Sequence, residues 1–206
     1  MISNSKSTIQ NSKLRIGITG GIGSGKSTVC RIFECLGIPV FSSDDEGRRL
    51  LSEDSIVVSE VKKLFGESVM KDGKPDRTKI AEAVFRKSSL LQKLNEIIHP
   101  AVRKGFEEWG KLKSSPYIIN EAAILFETGS YKQLDKTILV VSPEILRIER
   151  TMKRKGMDEK NIRDRIKNQW KDEEKRKLAD FVIMNDEKNM LIPQVLSIHN
   201  RLTAQG

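Results

Sequence analysis

The sequence predicts a three-layer α/β/α fold built on a parallel sheet, with a helical insertion after the second strand and a helical lid in the C-terminal third. Three observations carry that expectation. The β-rich run "LRIGIT" (14–19) passes through a glycine-rich turn into the helix-patterned "STVCRIFECLG" (27–37) and then into "IPVFSS". This strand, turn, helix, strand order is a βαβ unit, which pairs its strands in parallel. Second, "SPYIINE", "KTILVV" and "DFVIMN" contain the unalternating apolar runs of strands buried on both faces. Third, residues 44–113 are almost wholly helical in pattern, more than a single crossover needs.

Within that insertion the helical runs are "EVKKLFG", "RTKIAEAVF" behind the turn "KDGKPD", "SSLLQKLNEII" and "AVRKGFEEWGKL". His99-Pro100 separates the last two, and a proline there is expected to end one helix and begin the next. Ser142-Pro143 has the cap-then-proline order that opens a helix, here "EILRIERTMKR". Asp158 is the expected N-cap of "EKNIRDRIKNQW", and "NMLIPQVLSIHNRL" is the closing helix. The chain therefore divides into a core of about 14–43, 114–142 and 179–206, a helical substrate region of about 44–113 and a lid of about 143–178. Residues 1–13, "MISNSKSTIQNSK", are expected to be a loose polar tail, since they hold no apolar segment of the secretory kind.

Composition narrows the function classes. At 206 residues the chain is large enough for one α/β domain with an insertion and too small for two catalytic domains. With 37% apolar and 32% charged residues it has a globular, soluble composition, and no apolar run approaches the ~20 residues of a membrane span. Cys30 and Cys35 lie five apart in one helical run, a spacing that suits neither a disulfide nor a metal site. Reduced thiols and a cytoplasmic protein, without membrane partners and monomeric, are expected. The net charge of +9 fits either a nucleic-acid surface or a site for a small anion. Residues 147–177 hold 13 Lys/Arg against 7 Asp/Glu, interspersed at helical spacing, which describes a solvated face better than a nucleic-acid arm. Trp109 and Trp170 stand apart, so no aromatic platform for single strands is visible either.

The chemistry concentrates in "TGGIGSGKST". Gly20, Gly25, Lys26 and Ser27 fit G-x-x-x-x-G-K-[ST] between a strand and a helix, the context that motif requires. Such a loop turns backbone N–H groups toward phosphate oxygens, the helix N-terminus adds its positive end, the lysine reaches the β- and γ-phosphates and the Ser hydroxyl ligates Mg²⁺. Gly23, Ser24, Gly25, Lys26, Ser27 and Thr28 are thus the expected ATP-binding residues.

Other candidates follow from position. Asp44, in "FSSDDEG", lies where the second strand ends, the edge of an open parallel sheet at which ligands bind, and a carboxylate there can accept a hydroxyl proton. The same stretch reads as a capping box, Ser43-x-x-Glu46, and both readings can hold. Glu121, closing the run "YII", is placed to hold Mg²⁺ through water, whereas Glu127 is either an exposed loop acid or a substrate contact. Arg147, Arg150 and Arg154 recur at helical spacing and Arg163 and Arg165 follow, so a guanidinium-rich lid can offset charge on a transferring phosphoryl group, Arg150 and Arg154 being the favoured pair. Asp44 to Gly47 also fits the D-x-x-G of regulatory GTPases, but the chain has no Asn-Lys-x-Asp guanine-reading string. Read from these residues alone, the phosphoryl acceptor is open, and a conformational switch that binds nucleic acid is the alternative from another class.

Several longer stretches together are more specific. "GITGGIGSGKSTV", "LGIPVFSSD", "IIHPAVR", "ILFETGSYKQLDKTILVV", "SPEILRIERTMKR", "IRDRIKNQ" and "ADFVIMND" resemble the dephospho-coenzyme A kinase family from Leu14 to about Leu202. The resemblance implies a P-loop kinase with a nucleotide-binding core, a helical substrate domain and a mobile lid. It implies ATP-dependent phosphorylation of the ribose 3′-hydroxyl of dephospho-coenzyme A, with Asp44 near the acceptor hydroxyl and Arg150 and Arg154 at lid positions. Ser42-Ser43-Asp44 stands where the family commonly has D-A-D, which places the base role on Asp44 alone, and Ala123 replaces a family proline in "AILFE".

Overall fold

An apolar strand, a glycine turn and a helix open the described chain, which in this computed structural model comprises residues 13–204. They are β1 (Leu14–Thr19), the turn at 20–25 and α1 (Lys26–Cys35), followed by β2 (Val40–Ser42). Next come α2 (Ser43–Glu53), α3 (Ser55–Phe65), the short strands β3 (Met70–Lys71) and β4 (Lys74–Pro75), α4 (Arg77–Arg86) and α5 (Ser88–Lys111). The chain then returns through β5 (Tyr117–Glu121) and β6 (Lys136–Val141) to α6 (Glu144–Lys155), α7 (Glu159–Lys167) and α8 (Asp172–Arg176), ending in β7 (Phe181–Met184) and α9 (Leu191–Thr203). Two compact units result. Among the described residues, one holds 13–40, Ser114–Ile119 and 123–204, and the other holds Phe41–Lys113 with Asn120–Ala122.

The sheet order is β2-β5-β1-β6-β7, and β1 pairs in parallel with β6 and β6 with β7, as the βαβ reading requires. Burial on both faces explains the unbroken apolar strands. Ile138 and Val140 of β6 join Ile16, Ile18, Phe33 and Val195 in the main core, while Leu139 and Val141 point the other way, toward Phe126. Helices α1 and α9 pack together over the first of these faces. Tyr117 is wholly buried there, its hydroxyl 2.8 Å from His199 Nδ1, and burial pushes the Tyr117 phenol above its ordinary range. His199, which has no companion visible in the sequence, therefore acts as a core hydrogen-bond partner.

In the other unit α5 is the spine against which α2, α3 and α4 all pack, around Leu50, Val57, Val61, Ile80 and Leu94. The turn "KDGKPD" is the tip of an antiparallel hairpin, Met70 opposite Pro75, in which Asp72 and Gly73 both take positive φ. Trp109 is not isolated, because Phe41 and Phe106 lie with their ring centroids 5.3 and 6.1 Å from its own.

The expected break at His99-Pro100 does not occur: α5 runs through both residues from Ser88 to Lys111. Proline removes one intrahelical hydrogen bond. Ile97 and Ile98 before it and Ala101 and Val102 after it pack on the same apolar cluster, so burial on both sides outweighs that loss. His99 is partly buried, which together with neighbouring Arg103 lowers its pKa and favours the neutral ring. No helix among the described residues is long and apolar enough to cross a membrane.

Candidate active site

In the first unit the site is built where β1 gives way to α1. Gly25, the N-cap residue of α1, has φ 93°, which a side chain resists, and a Cβ there would collide with Asn185 Nδ2. No side chain caps α1, so its N-terminus presents backbone rather than a carboxylate or hydroxyl, as an anion site requires. Lys26 is half-buried and its Nζ donates to the Gly20 carbonyl at 2.8 Å, holding the ammonium across the loop. Ser27 and Thr28 are exposed in the first helical turn, whereas Ser24 is buried. Asn185, just past β7, donates from Nδ2 to the Ser24 carbonyl at 2.8 Å and from its backbone N–H to Val141 O at 2.8 Å, so the ends of β6 and β7 support the loop.

The arginines do not form one common face. Arg150 donates from Nη1 to Ser142 Oγ (3.0 Å) and Asn185 O (3.2 Å) and from Nη2 to Glu187 Oε1 (3.1 Å), which seats it beside the residues that hold the loop. Arg154, one turn further along α6, is exposed. Arg147 is buried, and its Nε donates to the Ile22 carbonyl at 2.9 Å. Arg163 is taken up by Glu144 and Glu159. Helical spacing alone treats these arginines as equivalent, and packing separates them.

Asp44 and Glu121 belong to the second unit. Asp44 is exposed in the first turn of α2, where with Asp45 and Glu46 it complements the positive end of the helix. The cap is one residue earlier than the capping-box reading places it. Ser42 Oγ accepts from Asp45 N–H at 3.3 Å, and Ser43 Oγ instead donates to Asn120 Oδ1 at 2.6 Å. That bond fastens the start of α2 to the end of β5, and each partner immediately precedes a candidate: Ser43 before Asp44, Asn120 before half-buried Glu121. Among the described residues no three His, Cys, Asp or Glu side chains converge as a metal site.

A family model described as dephospho-CoA kinase matches residues 14–190 of the chain. The chain belongs to the dephospho-CoA kinase family. A Bacteroides fragilis protein named dephospho-CoA kinase is 41% identical over 186 residues, covering 90% of this chain and 91% of its own length. An Aquifex aeolicus protein of that name is 40% identical over 192 residues, covering 92% of this chain and 97% of its own. Among solved structures, a Thermus thermophilus protein superposes with a TM-score of 0.81 at 33% identity, covering 94% and 97% of the two chains. Dephospho-CoA kinase from Campylobacter jejuni gives 0.66 at 27% identity over 93% and 98%. The dephospho-CoA kinase match encloses every candidate residue, from Gly23 to Arg154.

Sequence reasoning about this dephospho-CoA kinase family member missed three supports of the site: Asn185, Gln169 and Lys175. Asn185 carries a weak signal, a polar residue directly after an apolar strand. Lys175 carries none, yet it is fully buried, 2.7 Å from Glu127 Oε1, while the backbone N–H of Trp170 donates to the same oxygen at 3.2 Å. Glu127 is thus not an exposed loop acid but half of a buried ion pair. Lys175→Met is expected to lower unfolding free energy by about 3–5 kcal/mol, because it strands a buried carboxylate, and Glu127→Leu in the same chain should restore most of it. Urea unfolding measures both, and a single-variant loss below about 1 kcal/mol would rule out this structural role.

Proposed function

We propose that the protein transfers the γ-phosphoryl group of ATP to the ribose 3′-hydroxyl of dephospho-coenzyme A, releasing coenzyme A and ADP, the last step of coenzyme A synthesis. The observation that carries the reading is the G-x-x-x-x-G-K-S loop, seated between β1 and α1 in a chain whose family match runs over residues 14–190, from β1 past β7. In this reading the loop N–H groups and Lys26 hold the β- and γ-phosphates through Gly23 to Thr28. Ser27 and Glu121 are the residues assigned to Mg²⁺. Their hydroxyl and carboxylate oxygens are the donors a hard cation takes, and such an ion would be bound largely through phosphate oxygens and water. Bound there, Mg²⁺ neutralises charge on the phosphates.

Asp44 accepts the proton of the 3′-hydroxyl as that oxygen bonds to the γ-phosphorus, while the bond from phosphorus to the β–γ bridging oxygen breaks and ADP leaves with the electron pair. Arg150 and Arg154 offset the charge spread over the equatorial oxygens. The helical region at 44–113 is assigned to the acceptor and the helices at 143–178 to a lid that excludes water. We further propose that the protein acts as a cytoplasmic monomer without membrane partners and without nucleic-acid partners, the last of which the mixed-sign basic helices support.

The test is ADP release from Mg-ATP with dephospho-coenzyme A, against adenosine, AMP and no acceptor, with product mass recorded. One added phosphoryl group on dephospho-coenzyme A alone is expected. Equal ADP release with and without it would discard this acceptor.

A further inference from the structure

Four glycines in six residues make the loop at 20–25 conformationally costly to order, and its internal bonding is sparse, the Ser24 N–H donating to Gly21 O at 3.1 Å. What holds its outer edge comes from 125 and 147 residues away in the chain. The Ile22 N–H donates to Gln169 Oε1 at 3.0 Å, and the Ile22 carbonyl accepts from Arg147 Nε at 2.9 Å. Both polar groups of one loop residue are therefore satisfied by side chains, one from α6 and one from the segment joining α7 to α8.

The two side chains also meet each other. Arg147 Nη2 lies 3.5 Å from Gln169 Oε1, and Arg147 Nη1 lies 3.7 Å from Asp172 Oδ2. The guanidinium rests so closely on Gly21 that a Cβ there would collide with it, and the Arg147 carbonyl, which accepts from Thr151 Oγ1 at 2.7 Å, leaves no room for a Cβ on Gly23. Arg147 itself is 7% exposed. The Gln169 to Asp172 segment is anchored in turn, since the Trp170 N–H and Lys175 both reach Glu127.

We propose that Arg147 and Gln169 are positioning residues for nucleotide binding: they grip the Ile22 peptide groups from the root of the lid and keep the loop in its phosphate-ready shape before ATP arrives. Neither touches the nucleotide. Their contribution is preorganisation, which appears as affinity because the loop need not be ordered at the moment of binding. The proposal rests on the loop's being the ATP site. It separates Arg147 from Arg150 and Arg154, to which the phosphoryl charge is assigned.

Three full-length variants test it. Gln169→Leu removes the acceptor for the Ile22 N–H, Arg147→Lys keeps the charge beside Asp172 but loses the fork that spans Ile22 and Gly21, and Gln169→Glu keeps an acceptor oxygen. In the first two, Mg-ATP binding by calorimetry without acceptor is expected to weaken about tenfold, the loss of one hydrogen bond at a preorganised site. KM for ATP should rise in parallel, with kcat and KM for dephospho-coenzyme A nearly unchanged, and the Ile22 amide should exchange faster with deuterium. Gln169→Glu should retain the Ile22 protection. Unchanged ATP affinity in folded Gln169→Leu and Arg147→Lys, with only a lower melting temperature, would overturn the proposal, as would a fall in kcat at constant ATP affinity. Wild-type protein that fails to bind Mg-ATP would overturn the nucleotide reading itself, a result separate from unchanged variants of a binding-competent wild type.

Discussion

Lys26→Ala is expected to reduce kcat/KM by about 10³-fold and to weaken Mg-ATP binding as well. A preorganised cation at transferring phosphates contributes on that scale, several times more than a solvated surface charge. The half-buried position of Lys26 and the 2.8 Å bond from Nζ to Gly20 O mean that the ammonium already spans the loop, so little reorganisation accompanies ATP binding. Alanine is a good helix former in the first turn of α1, and circular dichroism should be unaltered. Turnover above about a tenth of wild type would show that the loop does not hold the reacting phosphates.

Asp44→Ala is expected to lower kcat by about 10²- to 10⁴-fold, the range for loss of a general base, while leaving Mg-ATP affinity intact. The separation follows from the roles assigned to the two residues: Lys26 addresses the donor and Asp44 the acceptor. Asp44→Asn sharpens the test, because the amide keeps the size and one acceptor oxygen but cannot take the proton. Steady-state kinetics paired with ATP calorimetry distinguish the cases. A nearly active Asp44→Asn would remove Asp44 from proton transfer and leave it as a first-turn acid of α2.

What could be read in advance was local. β1, α1, β6, β7 and the Asp158 cap are written in contiguous residues whose periodicity or capping chemistry is self-contained, and the structure reproduces them, Asp158 Oδ1 accepting from Asn161 N–H at 2.8 Å. What could not be read depends on distant partners. Pro100 lies inside α5 because the apolar residues flanking it, partly buried, pack on the cluster that α5 shares with α2 and α3, which no rule about neighbouring positions contains. Ser42 rather than Ser43 caps α2 because Asn120, far along the chain, claims the Ser43 hydroxyl. Arg147, Arg150 and Arg154 look alike at helical spacing, yet one grips a loop carbonyl, one bonds to Ser142, Asn185 and Glu187, and one faces solvent. Glu127 could be singled out but not paired, since its partner Lys175 looks in sequence like any other lysine of a charged helix.

The pairing of β1 with β6 also governs the order in which the chain can fold. Ile16 lies opposite Lys136, a separation of 120 residues, so the sheet's central pair closes only after most of the chain has been made. The unit built on α5 draws almost entirely on the continuous stretch Phe41–Lys113, so its contacts close within that stretch rather than across the 120 residues between Ile16 and Lys136. Shorter separations favour earlier formation, and the longer loop closure delays the rest. During synthesis, therefore, the helical unit can gain protection from proteolysis while β1 and the glycine loop still await their partner strand, and a ribosome-stalled chain ending near residue 150, with α5 emerged and β6 still within the ribosome, should resist protease over 41–113 but not over 14–40.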